Sequence, residues 1–294
     1  MRQAPFVPQI RLYQHWLHEQ RGLSFDSYDA MWRWSITDLD AFWQSIWDYY
    51  DLQSPTPHTT VLAERRMPGA KWFVGAQVNY AKQVLRHVAP AHAAGLAALI
   101  SSNEKGEDRT LLWPDLRQQV ASLALTLRGL GVQPGDRVAA YLPNIPETMV
   151  AFLATVSIGG VWSVCAPDMG TNAVLDRFKQ IEPKVLIACD GVTYAGRDHD
   201  RRAVVAEMCA ALPTVKHVLV HANLGLDISQ VKFASDLVAN FVDLKAVTAR
   251  NDAETDGFEP LWLPFDHPLW IVYSSGTTGL PKPIVHGHGG TIIV

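Results

Sequence analysis

The sequence contains few cysteines, and their spacing excludes the common cysteine-based sites. Cys165, Cys189 and Cys209 are the only three in 294 residues. An odd number of widely separated cysteines cannot form a complete disulfide framework, and none of them forms a CxxC metal or redox pair. A catalytic cysteine would need a neighbouring base, which the sequence does not indicate. We therefore predict three buried, reduced thiols.

The sequence also lacks the segments that direct a chain to a membrane, to secretion or to nucleic acid. It has no run of 18 apolar residues, and its start, MRQAPFVPQIRLYQHWLHEQ, has no uninterrupted apolar stretch with a small-residue cleavage site. No basic run exceeds two residues, and the formal net charge is −4. We expect a cytoplasmic protein without a membrane or nucleic-acid partner.

The composition is that of a globular protein, with 48% hydrophobic and 18% charged residues. Residues 1–75 hold six of the ten tryptophans. In TDLDAFWQSIWDYYDL, apolar side chains recur at helical spacing, and Thr37 with Asp40 three residues later suits a helix N-terminus. We predict a helical, aromatic-rich N-terminal extension over residues 1–75, whose aromatic stripe packs against the main body.

From about residue 97, short β-type runs alternate with amphipathic helices. This alternation predicts an α/β fold with a doubly wound, mostly parallel sheet and helices on both of its faces. The first two strands are close together and predict a hairpin at an edge, and residues 222–268 predict loops with one short helix. The predicted strands are 97–101, 109–113, 137–141, 161–164, 185–189, 215–220 and 269–274, and the predicted helices are 114–130, 144–158 with Asn144 as its cap, and 171–181.

A loop rich in glycine and hydroxyl groups, SSGTTGLPKP, follows the last predicted strand. Glycines let backbone N–H groups turn toward an anion, hydroxyls add donors, and a lysine adds a positive charge. The loop lacks the GxxxxGK[ST] spacing of a Walker A motif. Composition alone leaves two interpretations open, a polyphosphate-binding loop and a solvated turn. The candidate phosphate-binding residues are Ser274, Ser275, Gly276, Thr277, Thr278, Gly279 and Lys282.

This segment resembles the [ST]SG[ST]TGxPK signature of adenylate-forming enzymes, the superfamily of acyl-CoA synthetases, luciferases and peptide-synthetase adenylation domains. Within it, YSSGTTGLPKPIVHGHGG, FWQSIWDYYDL, MPGAKWFVGAQVNYA and WSVCAPDMG are similar to segments of acetoacetyl-CoA synthetases. The four segments span most of the chain. The resemblance implies that residues 76–294 form an incomplete N-terminal adenylation, or AMP-binding, domain after the extension.

The resemblance also implies a ligase reaction in two steps. Acetoacetate attacks the α-phosphate of Mg-ATP, and CoA then displaces AMP, so the expected small-molecule partners are acetoacetate, ATP, Mg²⁺ and CoA. The loop residues would hold the β- and γ-phosphates. Arg197, in DGVTYAGR, matches an arginine that contacts the CoA 3′-phosphate in acetyl-CoA synthetases, although Tyr194 replaces a second one. His286 matches a histidine of those enzymes and is a candidate site-lining or packing residue, and no metal ligand is assigned.

In the superfamily, the catalytic residues for adenylation and thioester formation, the adenine and acyl pockets and the C-terminal swinging domain follow the loop. They would therefore lie beyond Val294. We expect a fragment of an active ligase, a half that requires a partner chain with the C-terminal part, or a non-catalytic nucleotide-binding remnant. An acetyl- or propionyl-CoA synthetase-like ligase is the alternative specificity.

Overall fold

The computed structural model describes residues 7–227, 241–275 and 279–294. Its helices are α1 Gln9–Arg21, α2 Tyr28–Thr37, α3 Leu39–Tyr49, α4 Tyr80–Leu85, α5 Val88–Ala93, α6 Trp113–Gly129, α7 Pro146–Ser157, α8 Thr171–Ile181, α9 Arg202–Ala211, α10 Leu244–Thr248, α11 Ala253–Asp256 and α12 His288–Ile293. Its strands are β1 Thr60–Glu64, β2 Lys71–Val74, β3 Gln77–Val78, β4 Ala97–Ser102, β5 Asp108–Leu112, β6 Arg137–Tyr141, β7 Val161–Cys165, β8 Val185–Cys189, β9 Gly191–Tyr194, β10 Arg197–Asp200, β11 His217–His221, β12 Phe241–Asp243, β13 Leu263–Pro264, β14 Pro268–Ser274 and β15 Lys282–Gly287.

The chain divides into two compact units. The helical unit comprises Met1–Val78 with Pro264–Asp266 and Ile293–Val294, and the sheet unit comprises Asn79–Leu263 and His267–Ile292. In the helical unit, α1, α2 and α3 are followed by the antiparallel pair β1–β2. Every helix in the described ranges is too short or too polar to cross a bilayer.

Aromatic packing holds the three helices of the helical unit together. Tyr13 of α1 lies edge-on to Tyr49 of α3, with ring centroids 5.0 Å apart, and its hydroxyl bonds to the Ser45 hydroxyl at 2.7 Å. The predicted cap Thr37 is wrong, because Thr37 ends α2. Asp38 instead caps α3, accepting the Ala41 N–H at 3.2 Å.

In the described residues, the main sheet of the sheet unit has seven strands in the order β12-β11-β8-β6-β7-β14-β15. All neighbours are parallel except β14 and β15, which are antiparallel. The predicted mostly parallel sheet is therefore confirmed. Among the described strands, β15 is the last on its side of the sheet.

Helices cover both faces of this sheet, as the alternation of side chains in β8 shows. Ile187 points into a core built with α6 and α7, and its neighbours Leu186 and Ala188 point into a second core built with α8 and α9. A strand buried on both sides needs a continuous apolar run, and β8 reads VLIAC with every residue buried. The doubly wound architecture follows from this run.

Several local predictions within the sheet unit are wrong. Strands β4 and β5 do form a hairpin, but as a separate two-stranded sheet rather than at an edge of the main sheet. Asn144 is not the cap of α7, because the helix begins at Pro146 after the extended residue Ile145. Between residues 241 and 268 the chain forms two short helices, α10 and α11, instead of one.

The three cysteines are buried and free. Burial raises the pKa of the Cys165 thiol to about 11 and those of Cys189 and Cys209 to about 12. All three are therefore protonated and unreactive near neutral pH. The predicted burial of the three thiols is confirmed.

Candidate functional site

The two ends of the hydroxyl-rich loop lie at the carboxyl edge of the parallel sheet. Strand β14 runs parallel to β7 and ends at Ser274, and β15 begins at Lys282, directly opposite Ser274 in the antiparallel register. Carboxyl edges of parallel strands are where α/β proteins bind ligands. The loop follows the last predicted strand as expected, since β14 ends at Ser274. Gly276, Thr277 and Thr278 lie outside the described residues.

The local sequence explains why the buried strand gives way to an exposed loop at this point. Leu269 and Ile271 are buried, whereas Ser274 and Ser275 are exposed. Gly279 has φ +105°, a conformation that side chains with a Cβ rarely adopt. Pro283 lacks a backbone N–H and is tolerated because β15 is an edge strand. The described ends of the loop therefore present the hydroxyl groups of Ser274 and Ser275 and the Lys282 ammonium to solvent.

Helix α8 contacts both ends of the loop. The Tyr273 hydroxyl donates to the carbonyl oxygen of Arg177 at 2.9 Å, and Gln180 Nε2 donates to the carbonyl oxygen of Pro281 at 2.9 Å. Burial raises the pKa of Tyr273 to about 12, which keeps this hydroxyl protonated as a donor. Sequence reasoning missed both contacts, because a bond from a side chain to a distant carbonyl oxygen leaves no local pattern.

Arg197 lies in a second candidate region, the hairpin of β9 and β10. It is exposed and pairs with Tyr194 across a two-residue turn of Ala195, φ +51°, and Gly196, φ +72°. The Glu104 carboxylate accepts the N–H groups of Ala195 and Gly196 at 3.2 and 2.9 Å. Glu104 thereby fixes the turn that carries Arg197.

The carbonyl oxygen of Pro167 connects this hairpin to the turn that precedes α8. It accepts bonds from the Tyr141 hydroxyl at 2.8 Å and from Arg201 Nε at 2.7 Å, just after β10. Burial raises the pKa of Tyr141 to about 12, so this hydroxyl is also a permanent donor. The WSVCAPDMG segment is therefore held by two side chains from neighbouring elements.

His286 is not brought close to the phosphate loop. It is exposed in β15 opposite Trp270, with ring centroids 6.4 Å apart. It lies four positions along β15 from Lys282, a distance of roughly 13 Å. The ring that His286 contacts is therefore the Trp270 indole.

The described residues contain no group of three or more His, Cys, Asp or Glu side chains that could hold a metal ion. The donors at the loop ends are hydroxyl groups and an ammonium group, which suit phosphate oxygens rather than a cation. We therefore assign none of these residues to Mg²⁺.

Comparison with known proteins identifies two family models and one solved structure that match this chain. Residues 85–293 match the family model for AMP-binding enzymes, and residues 28–84 match the one for the acetyl-coenzyme A synthetase N-terminus. The structure of acetoacetyl-CoA synthetase from Streptomyces lividans superposes with a TM-score of 0.88 at 45% identity, covering 97% of this chain and 42% of that one.

Two curated relatives extend the comparison. Acetoacetyl-coenzyme A synthetase of Rhizobium meliloti is 38% identical over 95% of this chain and 41% of its own length. Malonamoyl-CoA synthetase of Penicillium aethiopicum is 34% identical over 99% of this chain and 40% of its own length. The chain thus spans about two fifths of the length of these relatives. The model match over residues 85–293 and the shared fold show that the chain belongs to the AMP-binding enzyme family.

Proposed function

We propose that the full-length protein is an AMP-forming acetoacetate–CoA ligase. The observation that carries the proposal is the register of β14 and β15, which sets Ser274 and Lys282 side by side at the carboxyl edge of the sheet. The similarity of nearly the whole chain to two acetoacetyl-CoA synthetases supports the acyl specificity.

In the first step, a carboxylate oxygen of acetoacetate attacks the α-phosphorus of ATP. The bond from that phosphorus to the bridging oxygen breaks, and pyrophosphate leaves with the bonding electrons. The candidate loop residues, Ser274 to Thr278 with Gly279 and Lys282, hold the β- and γ-phosphates and offset the charge that grows on them. This is a positioning and electrostatic role rather than covalent catalysis.

In the second step, the CoA thiolate attacks the carbonyl carbon of the acyl-adenylate, and the bond to AMP breaks. Arg197 is the candidate contact for the CoA 3′-phosphate, supported by its exposure on a turn that Glu104 fixes. Mg²⁺ would accompany ATP as its counter-ion. His286 remains a candidate site-lining residue, now with Trp270 as its neighbour.

The division into an extension over residues 1–75 and an adenylation domain from residue 76 also stays a proposal. Its support is that the two family models meet between residues 84 and 85 and the two compact units between residues 78 and 79. We further propose that residues 1–294 alone make no acetoacetyl-CoA, because phosphate contacts by themselves leave the acyl group and CoA unheld.

A substrate panel tests the proposal. ATP–pyrophosphate exchange by the full-length protein is measured with acetoacetate, malonamate, acetate and propionate, and the highest kcat/KM is expected with acetoacetate. Malonamate is the second candidate substrate, because the Penicillium malonamoyl-CoA synthetase is similar over 99% of this chain. Malonamate has an amide group where acetoacetate has a methyl ketone. Faster exchange with acetate or propionate would contradict the specificity, and no exchange with any acid would favour a non-catalytic remnant.

A further inference from the structure

Helix α8 touches the phosphate loop at both of its ends, through two residues one helical turn apart. Arg177 accepts the bond from Tyr273, which immediately precedes Ser274. Gln180 donates to Pro281, which immediately precedes Lys282. Residues three positions apart lie on the same side of a helix, so both contacts come from one face of α8.

The rest of α8 is firmly anchored, which makes it a fixed support. Val174, Phe178 and Ile181 are buried in the core between α8, α9 and the sheet, and Val174 and Phe178 are fully buried. Arg177 is half-buried beside this face, and Gln180 is exposed. Close-packed cores resist displacement, so the backbone of α8, with the carbonyl oxygen of Arg177, is held in place by the packing of these side chains. The amide of Gln180 also donates to the carbonyl oxygen of Asp176 at 2.6 Å, which restrains its side chain.

By contrast, the loop ends have little packing of their own. Ser274, Ser275, Gly279 and Lys282 are exposed. The backbone of such a segment is free to move unless polar contacts hold it. Backbone pairing of β14 with β15 sets the separation of Ser274 and Lys282, and the two bonds from α8 fix the position of this paired end against the body of the sheet unit.

We propose that α8 is a clamp for the phosphate loop, with Tyr273 and Gln180 as positioning residues. This inference rests on the proposed function of the loop. The clamp holds Ser274 and Lys282 in the places where they meet the β- and γ-phosphates, and its loss lowers kcat/KM for ATP while the protein stays folded. Neither residue touches the reacting atoms.

The test uses the full-length protein with Tyr273→Phe, Gln180→Met and the double substitution. Phenylalanine keeps the ring but removes the hydroxyl group, and methionine keeps the length and helix propensity of glutamine but removes the donor. The control substitutions are Tyr13→Phe, which removes a bond between the Tyr13 and Ser45 hydroxyl groups, and Gln118→Met, which removes the amide donor to the carbonyl oxygens of Thr248 and Arg250; both sites are away from the loop.

Amide hydrogen exchange of the peptide covering residues 279–284 is measured by mass spectrometry in the absence of ATP. It tests directly whether the two bonds from α8 restrain this part of the loop. We expect faster exchange in both clamp variants, the fastest in the double variant, and wild-type exchange of this peptide in both controls. Wild-type exchange in the clamp variants, or equal acceleration in the controls, would overturn the clamp.

Kinetics then connect the clamp to the reaction. In ATP–pyrophosphate exchange, each clamp variant should lose about 2- to 10-fold in kcat/KM for ATP, as expected for one neutral hydrogen bond, while the controls keep the wild-type value. Kinetics unchanged in the double variant would overturn the positioning role. If the wild-type protein exchanges pyrophosphate with no acid, the proposed function fails, and the hydrogen-exchange result still decides whether the clamp exists.

Discussion

The central strands of the main sheet and β15, the last described strand on one side of it, differ sharply in how they are held. In β8, Leu186 and Ile187 have no exposed surface, whereas in β15 Ile284 is 43% and Val285 57% exposed. Apolar packing on two faces holds the centre, and backbone pairing with a few polar contacts holds the edge. The stability of the fold and the candidate chemistry therefore depend on different residues.

The largest expected effect comes from breaking the central packing. Leu186→Ala should lower the free energy of unfolding by about 2–5 kcal/mol, because it removes buried methyl groups and leaves a cavity. The matched change at the edge, Ile284→Ala, should cost less than about 1 kcal/mol, since this side chain is already partly exposed. Urea unfolding of both variants of the 294-residue chain, to which these exposures apply, measures the difference, and equal losses would remove the contrast.

A substitution at the start of β15 should lower the reaction rate rather than the stability. Lys282→Ala should slow ATP–pyrophosphate exchange by the full-length protein about 10- to 100-fold, because a charged hydrogen bond contributes about 1.5–3 kcal/mol. Its unfolding midpoint should not change, since Lys282 is exposed. Lys179→Ala, an exposed lysine on α8, is the control. Exchange as fast in Lys282→Ala as in this control would exclude Lys282 from the reaction.

Acid should lower the stability of the fold through a buried histidine, His288, which directly follows β15. His288 is fully buried, its Nδ1 accepts the Tyr80 N–H at 3.0 Å, and burial followed by the nearby His267 lowers its pKa to about 3. Below pH 6.5 the unfolded chain gains a proton at this position that the folded chain does not bind. Stability is therefore intact above pH 6.5 and falls by up to about 1.4 kcal/mol per pH unit between pH 6.5 and 3.

Urea unfolding of the wild type and of His288→Gln between pH 7.5 and 5 measures this effect. The difference isolates His288 from other histidines of lowered pKa, such as His58 and His221. We expect the variant to lose less stability than the wild type over this range, by about 2 kcal/mol at pH 5. Parallel pH profiles would show that His288 is not the group that titrates.

The smallest expected effect is at the second candidate region. Arg197→Ala should raise the KM for CoA about 2- to 5-fold, because exposed ion pairs contribute at most about 1 kcal/mol. Dephospho-CoA, which lacks the 3′-phosphate, provides the control, and its KM should not change in this variant. An equal rise in KM for CoA and for dephospho-CoA would indicate that Arg197 contacts a part of CoA other than the 3′-phosphate. An unchanged KM for both would exclude the contact.

The sequence predicted the sheet well because its strands carry strong local patterns. Strand β8 reads as an unbroken apolar run, and α8, which begins at Thr171 and ends at Ile181, was predicted with both of its ends. The predictions of the N-caps of α3 and α7 were wrong for a local reason. Asp38 competes with Thr37 as acceptor, and Pro146 fixes the first helical residue two positions after Asn144.

The candidate loop was recognisable because its residue types and spacing belong to one short segment. Its supports were not, because Gln180 lies about a hundred residues before Pro281 and bonds to a carbonyl oxygen that every residue possesses. The same holds for Glu104 and the turn at Ala195. Contacts between a side chain and a distant backbone group depend on tertiary structure, which a local pattern does not contain.

Isotope transfer tests the proposed AMP-forming reaction most directly. The full-length protein is incubated with ATP, CoA, Mg²⁺ and acetoacetate labelled with ¹⁸O in its carboxylate, and the products are analysed by mass spectrometry. A carboxylate oxygen that attacks the α-phosphorus remains on that phosphorus when the thiolate displaces AMP, so we predict one ¹⁸O atom in each AMP formed with acetoacetyl-CoA. Label in orthophosphate instead of AMP, or thioester formation without labelled AMP, would contradict the proposed reaction.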